Sequence, residues 1–272
     1  MSENIVKTKL RNIDIPILTA FLSAPIFIPV SKKIDRESVV FKKFEIFSTK
    51  NIKIKAKVPL LDMTVDFPIF AVAIKELSKT PGTSVRIEEN KFLKLLGINR
   101  NNINKKNKFN IDRRLESMIS SVITIELFSD AGEFIEKSYI NLFSSAKWSR
   151  EDGYFEFKFN SDIYKAYDNI KWKAIDLEYY QSIRTEYAKA LFLFYESHSD
   201  KLIPIEKEKL IERLDLGGYS RANNITAKIN KAHQQLKEIG FLSDFKIVKD
   251  RVTKKTYYKV AKVKKKDRVF GI

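Results

Sequence analysis

The sequence predicts an α+β fold made of two similar units, because one order of elements recurs about 120 residues further along the chain. The first unit begins with a helical pattern at Asp66, and the second begins with one at Glu186. A short strand, a short helix, a further helix and a hairpin follow in both. A composition of 44% hydrophobic and 12% aromatic residues over 272 residues is sufficient for packed cores.

The first unit is defined by apolar periods separated by turn signals. Asp66 can cap its first helix, and Pro81-Gly82 marks the end of that helical pattern. Asn110 can cap its third helix, which follows a polar and basic loop. The other predicted elements are a strand, a helix stopped by a glycine, and a hairpin: residues 84–87, Glu89–Leu96 before Gly97, Val122–Phe128 and residues 134–142.

The second unit contains the longest amphipathic helix. After a helix at residues 186–199, a strand at 202–205 and a helix at 206–214, apolar residues recur at spacings of three and four from Ile225 to Ile239. Gly240 ends this helix, and a hairpin at residues 241–248 and 256–263 follows. A helix followed by a basic hairpin is typical of a winged helix, so the sequence predicts two tandem winged-helix domains.

The polar face of the long helix carries side chains that can contact phosphates or base edges. We interpret it as a recognition helix for the major groove of double-stranded DNA, with the hairpin on the adjacent backbone and basic residues of the first unit on the same duplex. The alternative is a solvated amphipathic helix packed on a hairpin. The candidate contacts are Arg221, Asn224, Lys228, Lys231, Gln234 and Gln235 on the helix, Lys249, Arg251, Lys254 and Lys255 on the hairpin, and Lys105, Lys106, Lys108, Arg113 and Arg114 in the first unit.

The charge distribution supports a polyanionic partner. The chain has a formal net charge of +17, and fifteen Lys and Arg against four Asp and Glu from Arg221 onward place +11 of it in the last fifth. The absence of cysteine excludes disulfides, thiol catalysis and thiolate metal sites, and is consistent with the cytoplasm.

Residues 1–60 are predicted to form an N-terminal extension with a hairpin at residues 38–47 and 52–58. The uncharged run at residues 15–30 resembles part of a signal peptide, but Pro16, Pro25 and Pro29 and its shortness favour an extended segment over the core edge. We expect the first domain to span residues 61–175 and the second to span residues 176–263, followed by a basic tail at 264–272. Between the units we expect a strand at 154–159, helices at 161–167 and near 177–183, and an extended segment at 172–175.

Several segments of this order resemble plasmid replication initiator (Rep) proteins of the iteron-binding type, which have two tandem winged-helix domains. The segments are FLKLLGI from Phe92, IDRRLESMISSVITIEL from Ile111, FEFKFNSDIYKAY from Phe155 and TEYAKALFLFYESHSD from Thr185. Asn160-Ser161 departs from the Asn-Pro-like turn of the family. The resemblance, which covers roughly residues 66–263, implies sequence-specific binding of origin repeats, local duplex opening, recruitment of the host initiator DnaA and the replicative helicase, and an equilibrium between monomers and dimers.

The sequence contains few of the residues and motifs that form catalytic sites, and we expect neither catalysis nor a cofactor. The chain has only two histidines, His198 and His233, and it lacks the HExxH, GxxxxGK[ST] and GxSxG motifs. Rolling-circle cleavage would need a paired-histidine motif, which is also absent. Asp62 and Asp66 are better explained by a turn and a cap than by a carboxylate pair, and His233 by a surface residue than by a DNA contact. The tyrosines at 164, 167, 179, 180, 187 and 195 suit core packing better than base stacking.

Two other classes of function remain open on the sequence alone. A winged-helix transcriptional regulator would share every DNA contact and lack origin activity. A protein that binds anionic membranes through the basic tail at 262–268 would need an amphipathic apolar surface beside its lysines rather than a hairpin.

Overall fold

The structure, a computed structural model, describes residues 14–18, 21–22, 26–29, 41–48, 50, 52–59, 61–99, 110–161, 172–198, 204–218 and 222–264. It combines helices with mainly antiparallel sheets, as the α+β prediction requires. Among the residues described before the first long helix there are five strands: β1 (Asp14–Leu18), β2 (Phe27–Ile28), β3 (Phe41–Ser48), β4 (Ile52–Pro59) and β5 (Leu61–Asp62).

The first unit has the predicted order of elements. Gly97 ends the second helix in the left-handed region at φ 69°, and the Asn110 side chain caps the third by accepting from the Arg113 backbone N–H at 3.1 Å. The expected cap at Asp66 is wrong, because the helix begins at Asp66 itself and Val65 occupies the cap position. The elements are α1 (Asp66–Leu77), β6 (Ser84–Glu88), α2 (Glu89–Leu96), α3 (Ile111–Ile119), β7 (Val122–Phe128), β8 (Phe134–Asn141), β9 (Ser145–Ser149), β10 (Tyr154–Lys158) and β11 (Trp172–Asp176).

The N-terminal hairpin β3–β4 is built into the first unit. Strand β4 pairs with β7, from Ile52 opposite Leu127 to Lys57 opposite Val122, which gives a four-stranded sheet in the order β3-β4-β7-β8. The hairpin that the sequence assigned to an extension therefore shares a sheet with the hairpin β7–β8. Strand β6 pairs instead with β10 in the order β6-β10-β9, and β9 was not predicted.

The N-terminal segment lies against the core, as expected from its apolar run. Strand β1 pairs antiparallel with β11, and β2 pairs parallel with β5. Ile17, Leu22 and Phe27 are buried. Among the described residues, no helix is both long and apolar enough to cross a membrane.

The second unit forms a winged helix. A three-stranded sheet in the order β12-β14-β13 joins its short strand to the second strand of its hairpin, and the long helix packs on this sheet with Ile229, Ala232 and Leu236 buried. The elements are α4 (Leu177–Ser182), α5 (Glu186–Ser197), β12 (Ile205–Glu206), α6 (Lys207–Arg213), α7 (Ala222–Glu238), β13 (Leu242–Lys249) and β14 (Thr256–Lys262).

Helix α4 joins the two units through buried tyrosines. The Tyr179 hydroxyl donates to the Ile239 carbonyl at 2.8 Å, and the Tyr180 hydroxyl donates to the Met63 carbonyl. Buried residues from Ile17 to Val260 form one hydrophobic cluster, so this core extends through both units. The helix predicted at 161–167 lies, beyond Ser161, outside the described residues.

Candidate nucleic-acid interface

Helix α7 presents one continuous exposed stripe at the surface, polar except for Ala227. Asn224, Ala227, Lys231, Gln234 and Glu238 are all exposed and recur at spacings of three and four, which places them on one face of the helix. Its 17 residues make a rod of about 25 Å. The apolar face of the same rod is held in the core, so the stripe has a fixed orientation relative to the hairpin β13–β14.

His233 anchors α7 from its buried side. Its ring is fully buried and lies 5.0 Å from the Tyr258 ring, nearly parallel to it at 13°. Nδ1 is 2.8 Å from the Ile229 carbonyl, which can only accept, so Nδ1 carries the proton. Nε2 then accepts from the Tyr195 hydroxyl at 2.6 Å. Burial lowers the pKa of His233 to about 4, against the opposing hydrogen bond to Ile229, so the ring is neutral.

This environment overturns both interpretations of His233 made from the sequence. The residue neither contacts the surface nor can reach DNA. It lies on the apolar face because it follows Ile229 by four residues, a spacing that could have placed it in the core.

Some candidate residues on α7 have exposed side chains, and others have side chains that are hydrogen-bonded within the protein. Asn224, Lys231 and Gln234 are exposed, and Gln234 only donates a long hydrogen bond of 3.2 Å to Glu238. Gln235 instead accepts from the Thr185 N–H at 3.0 Å and the Thr185 hydroxyl at 2.7 Å. Its carbonyl oxygen therefore fixes the start of α5 to α7. Arg221 lies outside the described residues.

A groove of about 340 Å³ runs between the start of α5 and helix α7. Its lining includes Arg184, Tyr187, Lys228 and Lys231, together with one acidic residue, Glu186. The Lys228 ammonium lies 4.7 Å above the Tyr187 ring, which holds this cation at the groove rather than free in solvent. Arg184 was missed in the sequence, although it directly precedes the Thr185 cap and is exposed. Three cations against the one carboxylate leave the lining with a net positive charge.

The tip of the hairpin β13–β14 presents basic residues in a turn organised by Asp250. The Asp250 carboxylate accepts from the backbone N–H groups of Val252 and Thr253 at 3.0 and 2.6 Å, and these bonds, chiefly that from Thr253, lower its pKa. Lys254 has a φ of 59° and is exposed. Lys249 and Arg251 are exposed too.

Lys255 differs from the other hairpin candidates. Its ammonium pairs with Glu206 of β12 at 2.7 Å, and this hydrogen bond raises its pKa. The pairing directs Lys255 towards the sheet, so the hairpin tip depends on Lys249, Arg251 and Lys254 for its outward charge.

In the first unit, Arg114 serves the core. Its Nη1 lies 3.0 Å from Asp66 Oδ2, and Asp66 is completely buried. Burial raises the pKa of Asp66 to about 6, and the Arg114 charge opposes that rise. Arg114, a candidate DNA contact in the sequence, instead neutralises a carboxylate inside the fold. Arg113 is half-buried, and Lys105, Lys106 and Lys108 lie outside the described residues.

The other polar groups singled out in the sequence have structural partners. Asp62 Oδ1 accepts from the Thr64 N–H at 2.7 Å, which forms a turn as expected. Tyr179, Tyr180 and Tyr195 are buried, as predicted, whereas Tyr187 lies at the groove. Tyr164 and Tyr167 fall outside the described residues. Within the part of the chain that the structure describes, no group of three or more His, Cys, Asp or Glu side chains could hold a metal ion.

The fold and this surface define a protein of the tandem winged-helix class. The chain matches the family described as Initiator Replication protein, WH1, over residues 42–196. It therefore belongs to the initiator replication protein family, whose members generally bind DNA rather than catalyse a reaction. The matched region includes the hairpin β3–β4, which the resemblance seen in the sequence had left unexplained.

Similar proteins agree with this assignment. The chain is 27% identical over 203 residues to RepFIB replication protein A of Escherichia coli, a match covering 73% of this chain and 61% of the relative. It is 28% identical over 185 residues to Replication protein RepA of Salmonella typhi, covering 67% and 51%. It thus spans about half to three fifths of these relatives. The structure of domains 2 and 3 of RctB covers 90% of the chain at 10% identity with a TM-score of 0.53, which supports the fold.

Proposed function

We propose that the protein is a plasmid replication initiator that binds repeated origin sites in double-stranded DNA, promotes opening of the origin and recruits the host initiator DnaA and the replicative helicase. The observation that carries this proposal is the stripe on α7. Asn224, Lys231 and Gln234 are exposed on one rigid face of a helix in a chain of the initiator replication family.

The chemistry of the stripe suits base edges in the major groove. That groove is about 12 Å wide and admits an α-helix. An amide such as Gln234 or Asn224 can pair with adenine, and Lys231 can donate to guanine O6 and N7. Because the apolar face of the helix is held in the core, the backbone that carries these groups needs no further ordering on binding, and the entropy cost is confined to their side chains.

Basic groups of the groove and of the hairpin tip suit the phosphate backbone. Arg184, which precedes α5, and Lys228 of α7 line the groove, and Lys249, Arg251 and Lys254 are exposed at the hairpin tip. Phosphate contacts from these two places would orient α7 without reading sequence.

We also propose that the first unit contacts the same duplex through Arg113, Lys105, Lys106 and Lys108. The two units would then meet grooves about 34 Å apart, on a site of roughly 20 base pairs. In this proposal the protein binds DNA in the cytoplasm without catalysis and without a cofactor. Monomers and dimers of the protein would be in equilibrium.

A replication assay tests this proposal. DNA flanking the gene is placed on a vector whose own origin is inactive in the host, and the protein is supplied in trans. We expect the vector to be maintained with the wild type and lost with the Lys231→Ala/Gln234→Ala variant. A protein that binds and represses the flanking promoter without maintaining the vector would be a transcriptional regulator, which would contradict the proposal.

A further inference from the structure

A second basic surface lies on the first unit, far along the sequence from α7. In β4, Lys53, Lys55 and Lys57 alternate with Ile54, Ala56 and Val58. Ala56 and Val58 are buried, whereas Lys55 and Lys57 are exposed and Lys53 is half-buried. Since successive side chains of a strand point to opposite faces, the three lysines follow one another along the solvent face of the sheet β3-β4-β7-β8.

Neighbouring strands add to this lysine face. Lys43 of β3 is the cross-strand partner of Lys57, and Lys137 of β8 is the partner of Glu126 on β7. Glu126 holds two of the lysines in place, since its carboxylate pairs with Lys55 at 2.8 Å and with Lys137 at 3.1 Å.

The lysine face keeps a positive charge after its acids are counted. Five lysines stand against two glutamates, Glu126 and Glu45, the cross-strand partner of Lys55. The hydrogen bonds from Lys55 and Lys137 lower the pKa of Glu126, so it stays ionised beside them. The net charge of these seven residues is +3.

Aromatic rings lie among the lysines. The Lys53 ammonium is 4.9 Å above the Phe128 ring, and Phe128 contacts Phe134 edge to face at 6.1 Å. The Lys137 ammonium is 5.4 Å above the Tyr139 ring. Phe134 is 60% exposed and Tyr139 is 65% exposed, and both belong to β8 at the edge of the sheet.

We propose that this lysine face binds single-stranded DNA. Alternate residues of a strand lie about 6.6 Å apart, so Lys53, Lys55 and Lys57 form a row of cations along which an extended phosphate backbone can run. Exposed aromatic rings beside such a row provide platforms on which unpaired bases stack. A duplex hides its base faces, so the rings favour a single strand. The inference does not depend on duplex recognition by α7.

Binding of a fluorescent oligothymidylate of about 20 nucleotides to the full chain tests the lysines, by anisotropy across a range of salt concentrations. The variant Lys53→Gln/Lys57→Gln spares the two lysines that hold Glu126. We expect it to flatten the slope of log affinity against log salt by about 1.4, the value for two phosphate contacts on a single strand. The matched control is Lys94→Gln/Lys158→Gln, which removes two exposed lysines from α2 and β10 and should leave the slope unchanged.

The rings are tested by Phe134→Ala/Tyr139→Ala. We expect this double variant to bind the oligothymidylate about tenfold more weakly and to bind a random duplex with unchanged affinity. The single variant Tyr139→Phe keeps the ring, so it should bind the oligothymidylate as tightly as the wild type. The proposal is overturned if the intact protein does not bind the oligothymidylate, or if the control weakens binding as much as the lysine variant. It is also overturned if the aromatic variant changes only the oligomeric state, since the surface would then join two copies of the chain.

Discussion

The two units use the same order of elements but anchor their third helices in opposite ways. In the first unit, α3 is tied to α1 by an ion pair between Arg114 and the buried carboxylate of Asp66. In the second, α7 is tied to α5 by a hydrogen bond between a neutral His233 and Tyr195. The anchor of α3 uses the charge of Arg114 inside the protein. The anchor of α7 is neutral, so the cations of α7 stay at the surface.

The hairpins differ in a related way. In the second unit the hairpin β13–β14 pairs with the short strand β12 and leaves its basic tip exposed. In the first, the hairpin β7–β8 pairs with β4 and becomes part of a larger sheet. We infer that the second unit presents a helix to duplex DNA, and that the first presents a sheet face to a single strand in addition to its proposed duplex contacts.

The ionic anchor gives the largest expected effect. Arg114→Ala should destabilise the protein by about 3–5 kcal/mol at pH 7, because it leaves a buried carboxylate without its cation. The deficit should shrink as the pH falls, since Asp66 can then be protonated in the folded state. Urea unfolding at pH 7 and pH 5 measures both.

Arg113→Ala is the matched control for the ionic anchor. The neighbouring arginine is half-buried, and only its backbone N–H takes part in the Asn110 cap. We expect a change within about 0.5 kcal/mol. Equal losses for the two variants would show that the Asp66 ion pair does not anchor α3.

The neutral anchor should also lose its advantage over its variant as the pH falls, but through a different group and over a different pH range. The folded-state pKa of His233 is lowered to about 4 from an ordinary 6.5, so its stabilising contribution is complete above pH 6.5 and is lost as the pH falls towards 4. His233→Phe keeps the ring stack but leaves the Tyr195 hydroxyl without its acceptor, at a cost of about 1–3 kcal/mol at pH 7.

The stabilities of the wild type and His233→Phe should therefore cross. Between pH 7 and pH 4 the free energy of unfolding of the wild type should fall by about 3 kcal/mol relative to that of the variant. The reason is that His233 is protonated in the unfolded chain over this range but stays largely neutral in the folded protein. Thermal or urea unfolding at both pH values checks this. A constant difference in stability would mean that His233 is accessible to protons in the folded state.

Local patterns predicted the elements well and their long-range partners poorly. Helix α2 ends before Gly97 as the pattern requires, because a helix stop is set by a few adjacent residues. The pairing of β4 with β7 joins segments some 70 residues apart, and no local period contains that information. The exposed stripe on α7 followed from periodicity, but the partners of Arg114 and Gln235 did not, since both come from other helices or their caps.

The hairpin tip should give the smallest effect. Lys254→Asn removes the charge at a residue whose φ of 59° asparagine tolerates, so the fold should be unchanged. The slope of log affinity against log salt on duplex DNA should flatten by about 0.9. Lys255→Ala should flatten it less, because Lys255 is paired with Glu206. The opposite ranking would show that the Glu206 ion pair opens when DNA binds.

The central claim is that the exposed stripe of α7 reads duplex DNA. Quantitative footprinting of the full chain on the DNA flanking its own gene, and on a random duplex, tests it most directly. Lys231→Ala and Gln234→Ala should each cost about 1–3 kcal/mol on the specific site, with little change on random DNA, while Lys158→Ala/Gln181→Ala, a matched pair of exposed residues on β10 and α4, should change neither. Equal losses on both DNAs would reduce the stripe to backbone contact, and unchanged affinity throughout would contradict the claim.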